Sequence, residues 1–95
     1  MYMIYPSGNT IQKPDQVFTT AELKNIFGGW FYLRGLHIIG GKDYYMCTQD
    51  LHEVPKKDWP ELNKEATELA GVPIYGKALV APDVSFLKEI KEKEV

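Results

Sequence analysis

Residues 17–31 constrain the fold of this chain more than any other segment. They contain the signals that begin a helix. Thr19 and Glu22 have the spacing of a capping box, in which a hydroxyl and a carboxylate each accept a hydrogen bond from a free backbone N–H. Phe18 and Leu23 stand where a hydrophobic staple fixes the direction of the entering chain. The segment therefore predicts a helix that begins immediately after Thr19.

Two glycines predict the end of this helix. Gly28 can adopt the left-handed conformation in which many helices end, and Gly29 allows the chain to turn sharply into the next element. Between the cap and the glycines, Leu23, Ile26 and Phe27 have the i, i+3, i+4 spacing of one buried stripe. The pattern predicts a short helix with one face in the core.

Residues 30–36 alternate as a β-strand does, with Phe31 and Leu33 on one face. The opposite face carries two aromatic rings and a cation: Trp30, Tyr32 and Arg34. A glycine pair at residues 40–41 predicts a hairpin turn, after which residues 42–48 return as a second strand. We expect these two strands to form the centre of an antiparallel sheet.

Turn and cap residues predict two further elements. Residues 2–12 contain a Pro-Ser-Gly-Asn turn between two β-prone runs and read as a small hairpin. A second helix begins at Asp58 or Asn63, which both have N-cap character, and ends at Gly71. Its predicted apolar stripe consists of Leu62, Ala66, Leu69 and Ala70.

The last part of the chain predicts a strand and a helix. The strand covers residues 74–80, in which Gly76 marks a bulge or a close approach of another segment. The helix covers residues 83–93, with Phe86, Leu87 and Ile90 on its inner face. The complete pattern predicts an α+β fold class, with an antiparallel sheet of four or five strands and three short helices, two of them on one face.

Size and composition are those of a single small globular domain. The chain has 95 residues, of which 44% are hydrophobic and 13% aromatic. A domain of this size buries only about 60–65% of the surface that its unfolded chain exposes. A homo-oligomer that shares apolar surface is therefore the alternative to a monomer.

Charge and cysteine content disfavour several classes of function. The net charge of −2 disfavours binding to a nucleic-acid polymer, since such binding depends on Lys and Arg at phosphates. The single cysteine, Cys47, cannot form an internal disulfide, which is typical of a reducing cytosol. No segment approaches the roughly 20 apolar residues of a membrane span, and the start of the chain lacks a signal-peptide pattern. We expect a cytoplasmic protein without membrane contact.

The sequence contains no catalytic or metal-binding motif. The soft and imidazole ligands are His37, Cys47 and His52, which lack the spacings of zinc sites. Cys47 and His37 can face each other across the predicted hairpin, but a free cysteine in an aromatic strand is usually a packing residue. We therefore expect neither an enzyme nor a metal or cofactor site.

Aromatic and cationic residues form the candidate binding site. Aromatic faces with nearby cations can stack a base and neutralise a phosphate, as nucleotide-binding proteins do. Packing of the sheet against helices is the alternative, since aromatic residues also favour strands. Three short helices cannot cover both faces of the sheet, so we expect some aromatic surface to be exposed. The set is Trp30, Tyr32, Arg34, Tyr44, Tyr45, Tyr75 and Lys77.

Two polar residues of the second helix are further candidates. Asn63 and Thr67 lie one helical turn apart and project from the same side. Asn63 is either the N-cap of the helix or, together with Thr67, a polar contact to a ligand. The candidate ligand-binding residues are thus Trp30, Tyr32, Arg34, Asn63, Thr67, Tyr75 and Lys77.

An ordered set of motifs resembles a small phage-associated domain family of unknown function. The motifs are Ile-Tyr-Pro-Ser-Gly-Asn at 4–9, Phe-Thr-Thr-Ala-Glu-Leu at 18–23, Gly-Gly-Trp at 28–30, Asn-Lys-Glu-Ala-Thr-Glu-Leu at 63–69 and Ile-Tyr-Gly-Lys-Ala-Leu-Val at 74–80. The fourth is similar to the family's Asn-x-x-Ala-Thr-x-Leu signature, and the fifth to its closing strand. The resemblance covers residues 2–80 and is interrupted between Thr48 and Leu62.

The resemblance implies a phage or prophage origin and a small accessory protein that acts on the host. We expect a non-enzymatic function in which the protein binds and neutralises a host component. An anti-defence sponge for a small nucleotide signal is one interpretation, which the aromatic and cationic residues favour. A direct inhibitor of a host protein is the other, which the mild charge and the exposed sheet favour. The expected partner is thus a small nucleotide-like ligand or a host protein in the bacterial cytoplasm.

Overall fold

The computed structural model describes residues 1–14, 16–38, 42–82 and 86–87. These residues form a five-stranded antiparallel sheet and two α-helices, in an α+β arrangement. The elements are β1 (Tyr2–Ile4), β2 (Thr10–Gln12), α1 (Thr20–Phe27), β3 (Phe31–Ile38), β4 (Lys42–Gln49), a 3₁₀ turn (Lys56–Asp58), α2 (Lys64–Ala70) and β5 (Ala78–Ala81). The helix predicted over 83–93 lies outside the described residues, except for Phe86 and Leu87, which are both buried.

The strands lie in the order β2-β1-β5-β4-β3. The predicted hairpins are present, because β1 pairs with β2 and β3 pairs with β4, both antiparallel. The expectation that β3 and β4 form the centre of the sheet is wrong, since β3 is an edge strand and β5 is central. All four residues of β5 are buried, and their run of small and apolar side chains suits a strand that is covered on both faces.

The strand predicted over residues 74–80 is shorter than expected. Gly76 interrupts it with a φ of +81°, a conformation that favours glycine, and a Cβ there would lie 2.8 Å from Cγ of Pro60. Tyr75 instead forms an isolated bridge with Leu62. The prediction of a close approach at Gly76 is therefore confirmed, and this approach separates the bridge from β5.

Helix α1 begins and ends as its sequence predicts. The Thr19 hydroxyl accepts from the backbone N–H of Glu22 at 3.1 Å, and the Glu22 carboxylate accepts from the backbone N–H of Thr19 at 2.9 Å. Gly28 ends the helix with a φ of +75°. Leu23 and Phe27 are buried, so the predicted stripe faces the core.

The two helices pack on opposite faces of the sheet. Leu23 and Phe27 of α1 contact one face, which we name the α1 face. Its strand residues include Met3, Leu33, Cys47 and Leu79. Ala66 of α2 contacts the other face, named the α2 face. Its strand residues include Ile4, Leu36, Met46 and Val80.

The stripe predicted for α2 is only partly buried. Ala66 is buried and Ala70 half-buried, whereas Leu62 and Leu69 are both 39% exposed. The helix is only seven residues long, and it rests on the sheet through its smallest side chains. This part of the prediction is therefore wrong for the two leucines.

Candidate ligand-binding cavity

A cavity of about 470 Å³ opens on the α2 face beside β3. This volume lies within the range of about 300–1,000 Å³ that is usual for small-molecule sites. Its wall combines side chains of β3 and β4 with the segments that precede and follow α2. Its aromatic and charged lining residues are Tyr32, Arg34, Asp50, Trp59 and Tyr75.

The alternation of β3 places Tyr32 and Arg34 at this cavity. In the β3–β4 ladder, Tyr32 lies opposite Thr48 and Arg34 opposite Met46, all on the α2 face. Phe31 and Leu33 point to the α1 face, where they pack against its core. The two faces that the sequence predicts for this strand are therefore confirmed.

Arg34 carries a hydrogen-bond donor that no described residue accepts. Its guanidinium carbon lies 4.9 Å from the ring centroid of Tyr32, in a cation–π contact. Its Nε is buried and has no hydrogen-bond partner among the described residues. A buried donor without a partner costs about 1–3 kcal/mol of stability. An acceptor brought into the cavity by a ligand can satisfy this group.

Trp59 and Tyr75 form the aromatic wall of the cavity. Their ring centroids are 5.0 Å apart and their planes are inclined by 56°. Trp59 is fixed because its indole N–H donates to the carbonyl of Val54 at 2.9 Å. Sequence reasoning missed Trp59 as a site residue because Asp58 next to it suggested a helix start. Trp59 is identified as a site residue by the structure, in which its ring lies beside the ring of Tyr75.

Asn63 is the N-cap of α2, whereas Asp58 ends the 3₁₀ turn. The side-chain oxygen Oδ1 of Asn63 accepts from the backbone N–H of Ala66 at 3.1 Å. Its amide donates to the carbonyls of Ile4 at 3.0 Å and Gly76 at 2.9 Å. The side chain is 0% exposed, so it joins α2, β1 and the Tyr75 segment from inside the fold.

Thr67 positions a residue of the cavity wall. Its hydroxyl accepts a hydrogen bond from the backbone N–H of Ile74 at 2.9 Å, and Ile74 itself lines the cavity. Thr67 is not among the lining residues. The structure thus gives Thr67 and Asn63 positioning contacts to the segment that carries Tyr75.

Trp30 lies in a neighbouring groove. It is 59% exposed, and the ammonium of Lys24 is 4.0 Å from its ring centroid. The groove shares Gln49 and Asp50 with the cavity, so the two concave surfaces adjoin. The expected exposed aromatic surface is therefore present, since Tyr32 is 52% exposed as well.

Lys77 lies away from the other candidates. It lines a hollow of about 210 Å³ together with Met3 and Leu79, which belong to the α1 face. The structure therefore brings together Tyr32, Arg34 and Tyr75, places Trp30 beside them, and places Lys77 on the opposite side of the sheet.

Cys47 packs in the core of the α1 face. It is completely buried, and burial raises the pKa of its thiol to about 12. The ladder places it opposite Leu33, whereas His37 lies opposite Asp43. The Cys–His pair considered from the sequence is therefore not formed by this register.

Metal-ligating clusters and membrane-spanning helices are both absent from the described residues. No group of three or more His, Cys, Asp or Glu side chains in this part of the chain has the arrangement of a metal site. Among the same residues, neither helix has the length and apolar character needed to cross a bilayer. Comparisons of the chain with protein-family models, curated proteins and solved structures found no match. The resemblance to the phage-associated family stays a prediction.

Proposed function

We propose that this chain is a non-enzymatic binding protein whose cavity takes up a small nucleotide-like ligand. The observation that carries the proposal is the buried Nε–H of Arg34 at the wall of an aromatic cavity, which has no hydrogen-bond partner in the part of the chain that the structure describes. A phosphate oxygen is a strong acceptor for such a donor, and the hydrogen bond is charge-assisted. Binding then gives this N–H an acceptor, which none of the described residues supplies.

The aromatic residues supply contacts for a base. Tyr32 is 52% exposed, and the tilted ring pair of Trp59 and Tyr75 lines the same cavity. Stacking of a base on an aromatic side chain contributes about 1–3 kcal/mol. One guanidinium with three rings is a sufficient set for a mononucleotide.

The proposal contains no catalytic step. The thiol of Cys47 is completely buried, and burial raises its pKa to about 12, so the proposal gives this residue a packing role. A protein that binds without turnover neutralises its ligand by stoichiometric uptake. The resemblance to the phage-associated family supports the setting, which is an accessory protein that removes a nucleotide signal in the cytoplasm of a bacterial host.

A thermal-shift panel of nucleotides tests the proposal. We expect at least one nucleotide to raise the Tm of the wild-type protein, and Arg34→Gln to abolish that shift. Lys77→Gln is the matched control, since it removes one positive charge from the α1 face and should keep the shift. No shift across the panel, or equal loss in both variants, contradicts the proposal. Native mass spectrometry of the complex should then recover the nucleotide unchanged and report the oligomeric state.

Inhibition of a host protein is the second candidate function. The observation that favours it is the adjacent exposure of Trp30 at 59% and Tyr32 at 52%, since exposed aromatic patches often mark partner surfaces. Trp30→Ser separates the two functions. It should abolish capture of a protein partner in this second case, and it should leave the nucleotide shift intact in the first.

A further inference from the structure

The charges that line the cavity restrict which nucleotides fit. Among the lining residues, all of them described by the structure, Arg34 and Asp50 carry the formal charges, and these sum to zero. A phosphomonoester carries about 1.5 to 2 negative charges at neutral pH. A phosphodiester carries a single one. The cavity therefore has one guanidinium to pair with the ligand and one carboxylate that repels any further negative charge.

Asp50 is held in place by its neighbours. Its Oδ1 accepts from the backbone N–H of His52 at 3.0 Å, and its own N–H donates to the carbonyl of Trp30 at 2.7 Å. The side chain is half-buried. Like charges brought together at an interface cost several kcal/mol. A carboxylate fixed at the cavity wall therefore lowers the affinity for doubly charged anions.

The other polar groups around the cavity are neutral or exposed. Thr48 and Gln49 line it with neutral hydrogen-bonding side chains. The ammonium of Lys56 lies 5.9 Å from the ring centroid of Trp59, but Lys56 is exposed and does not line the cavity. Its charge is therefore screened by solvent, and Arg34 dominates recognition of the anion.

We propose that the ligand is a phosphodiester nucleotide, such as a cyclic nucleotide, whose single negative charge pairs with Arg34 and whose base N–H faces Asp50. This inference rests on the proposed function and specifies its ligand class. The carboxylate of Asp50 accepts from a base amino or imino group and weakens the binding of phosphomonoesters and triphosphates. Arg34 binds the anionic group, and Asp50 lowers the affinity for ligands with more than one negative charge.

Isothermal titration calorimetry with three adenosine nucleotides tests this inference. The probes are adenosine 3′,5′-cyclic monophosphate, adenosine 5′-monophosphate and ATP, which share base and sugar and differ in phosphate charge. We expect the cyclic nucleotide to bind the wild-type protein at least about tenfold more tightly than the monophosphate, a difference of about 1.4 kcal/mol. ATP should bind more weakly still.

Asp50→Asn should remove this discrimination. The amide oxygen of asparagine can accept from His52 as the carboxylate does, so the fold should be retained. We expect the monophosphate to gain about tenfold in affinity in this variant, which corresponds to about 1.4 kcal/mol. Asp58→Asn, on the exposed 3₁₀ turn, is the control and should keep the wild-type order of affinities.

The outcomes separate this inference from the proposed function. Equal or tighter binding of the monophosphate or ATP to the wild-type protein overturns the diester preference and leaves nucleotide binding in place. An unchanged ratio of affinities in Asp50→Asn overturns the role of Asp50. If none of the three nucleotides binds, and the wider panel also gives no shift, both proposals fall.

Discussion

The two faces of the sheet differ in the size of the side chains that cover them. The α1 face is filled by large buried residues, among them Leu23, Phe27 and Phe86. The α2 face receives Ala66 from its helix, so α2 covers part of the sheet and leaves the Tyr32 and Arg34 end of β3 to the cavity. The α1 face is thus a closed face that only packs, whereas the α2 face is an open face with room for a ligand.

Asn63→Ala should cause the largest loss of stability, because Asn63 holds the open face together. The change removes three hydrogen bonds and leaves the Ile4 and Gly76 carbonyls and the Ala66 N–H without their partner. Buried groups that lose partners cost about 1–3 kcal/mol each, so we expect a loss of about 3–9 kcal/mol in urea unfolding.

The matched control for this change is Asn25→Ala, at an exposed position of α1. Surface substitutions of this kind usually stay within about 0.5 kcal/mol. A loss below about 1 kcal/mol in Asn63→Ala would show that the buried amide does not hold the α2 face, since even one unpaired group costs that much.

Leu23→Ala probes the closed face and should cost slightly less. Leu23 is completely buried in the α1 core, and truncation of such a leucine costs about 2–5 kcal/mol through lost burial and the remaining cavity. Leu69→Ala on α2 is the control, because Leu69 is 39% exposed and should lose little. Equal losses in urea unfolding for the two variants would contradict the difference between the faces.

The buried thiol of Cys47 should make stability depend on alkaline pH. Burial raises the folded-state pKa from 9.0 to about 12, so the unfolded chain releases this proton at lower pH than the folded one. The stabilisation is complete below about pH 9 and is lost as pH rises through about 12. The free energy of unfolding should fall by up to about 1.4 kcal/mol per pH unit in this window.

Cys47→Ala should flatten this pH dependence. Burial also raises the pKa of Tyr2, so the comparison of the two proteins isolates the contribution of the thiol. Urea unfolding at several pH values between 8 and about 11 measures both slopes, because the thiol of the unfolded chain loses its proton in this range while the buried thiol keeps it. If the free energy of unfolding has the same pH slope in the wild-type protein and in Cys47→Ala, the thiol is not buried from solvent, which would contradict the structure.

Trp30→Ala should have the smallest effect on stability. The ring is 59% exposed, and its cation–π contact with Lys24 contributes about 0.5–1 kcal/mol at such a site. Nucleotide affinity should stay within about twofold, because Trp30 lies in the groove beside the cavity and not in its lining. A larger loss of affinity would extend the site into that groove.

The sequence predicts α1 well because all its signals are local. The capping box and the left-handed glycine act within one short helix, and each depends on neighbours three to five residues away. The order of the strands depends on distant pairs such as Met3 with Leu79. Periodicity shows which side chains share a face, but it does not identify the neighbouring strand.

The candidate site was only partly predictable for the same reason. Alternation in β3 correctly placed Tyr32 and Arg34 on one face. Trp59 was missed because Asp58 and Glu61 mimic a helix start, whereas Pro60 holds Trp59 in an extended conformation with a ψ of 142°. Asn63 had two interpretations, and only its contacts with distant carbonyls show how its amide is used.

The most direct test of the open face uses the two tryptophans of the chain as reporters. A ¹H–¹⁵N correlation spectrum shows one indole N–H signal for each, and Trp30→Phe assigns them. During titration with a nucleotide that stabilises the protein, the account predicts a saturable shift of the Trp59 signal that exceeds the shift of the Trp30 signal. A Trp59 signal that stays in place at saturation, or a larger shift of the Trp30 signal, would contradict the assignment of the site to the Arg34 cavity.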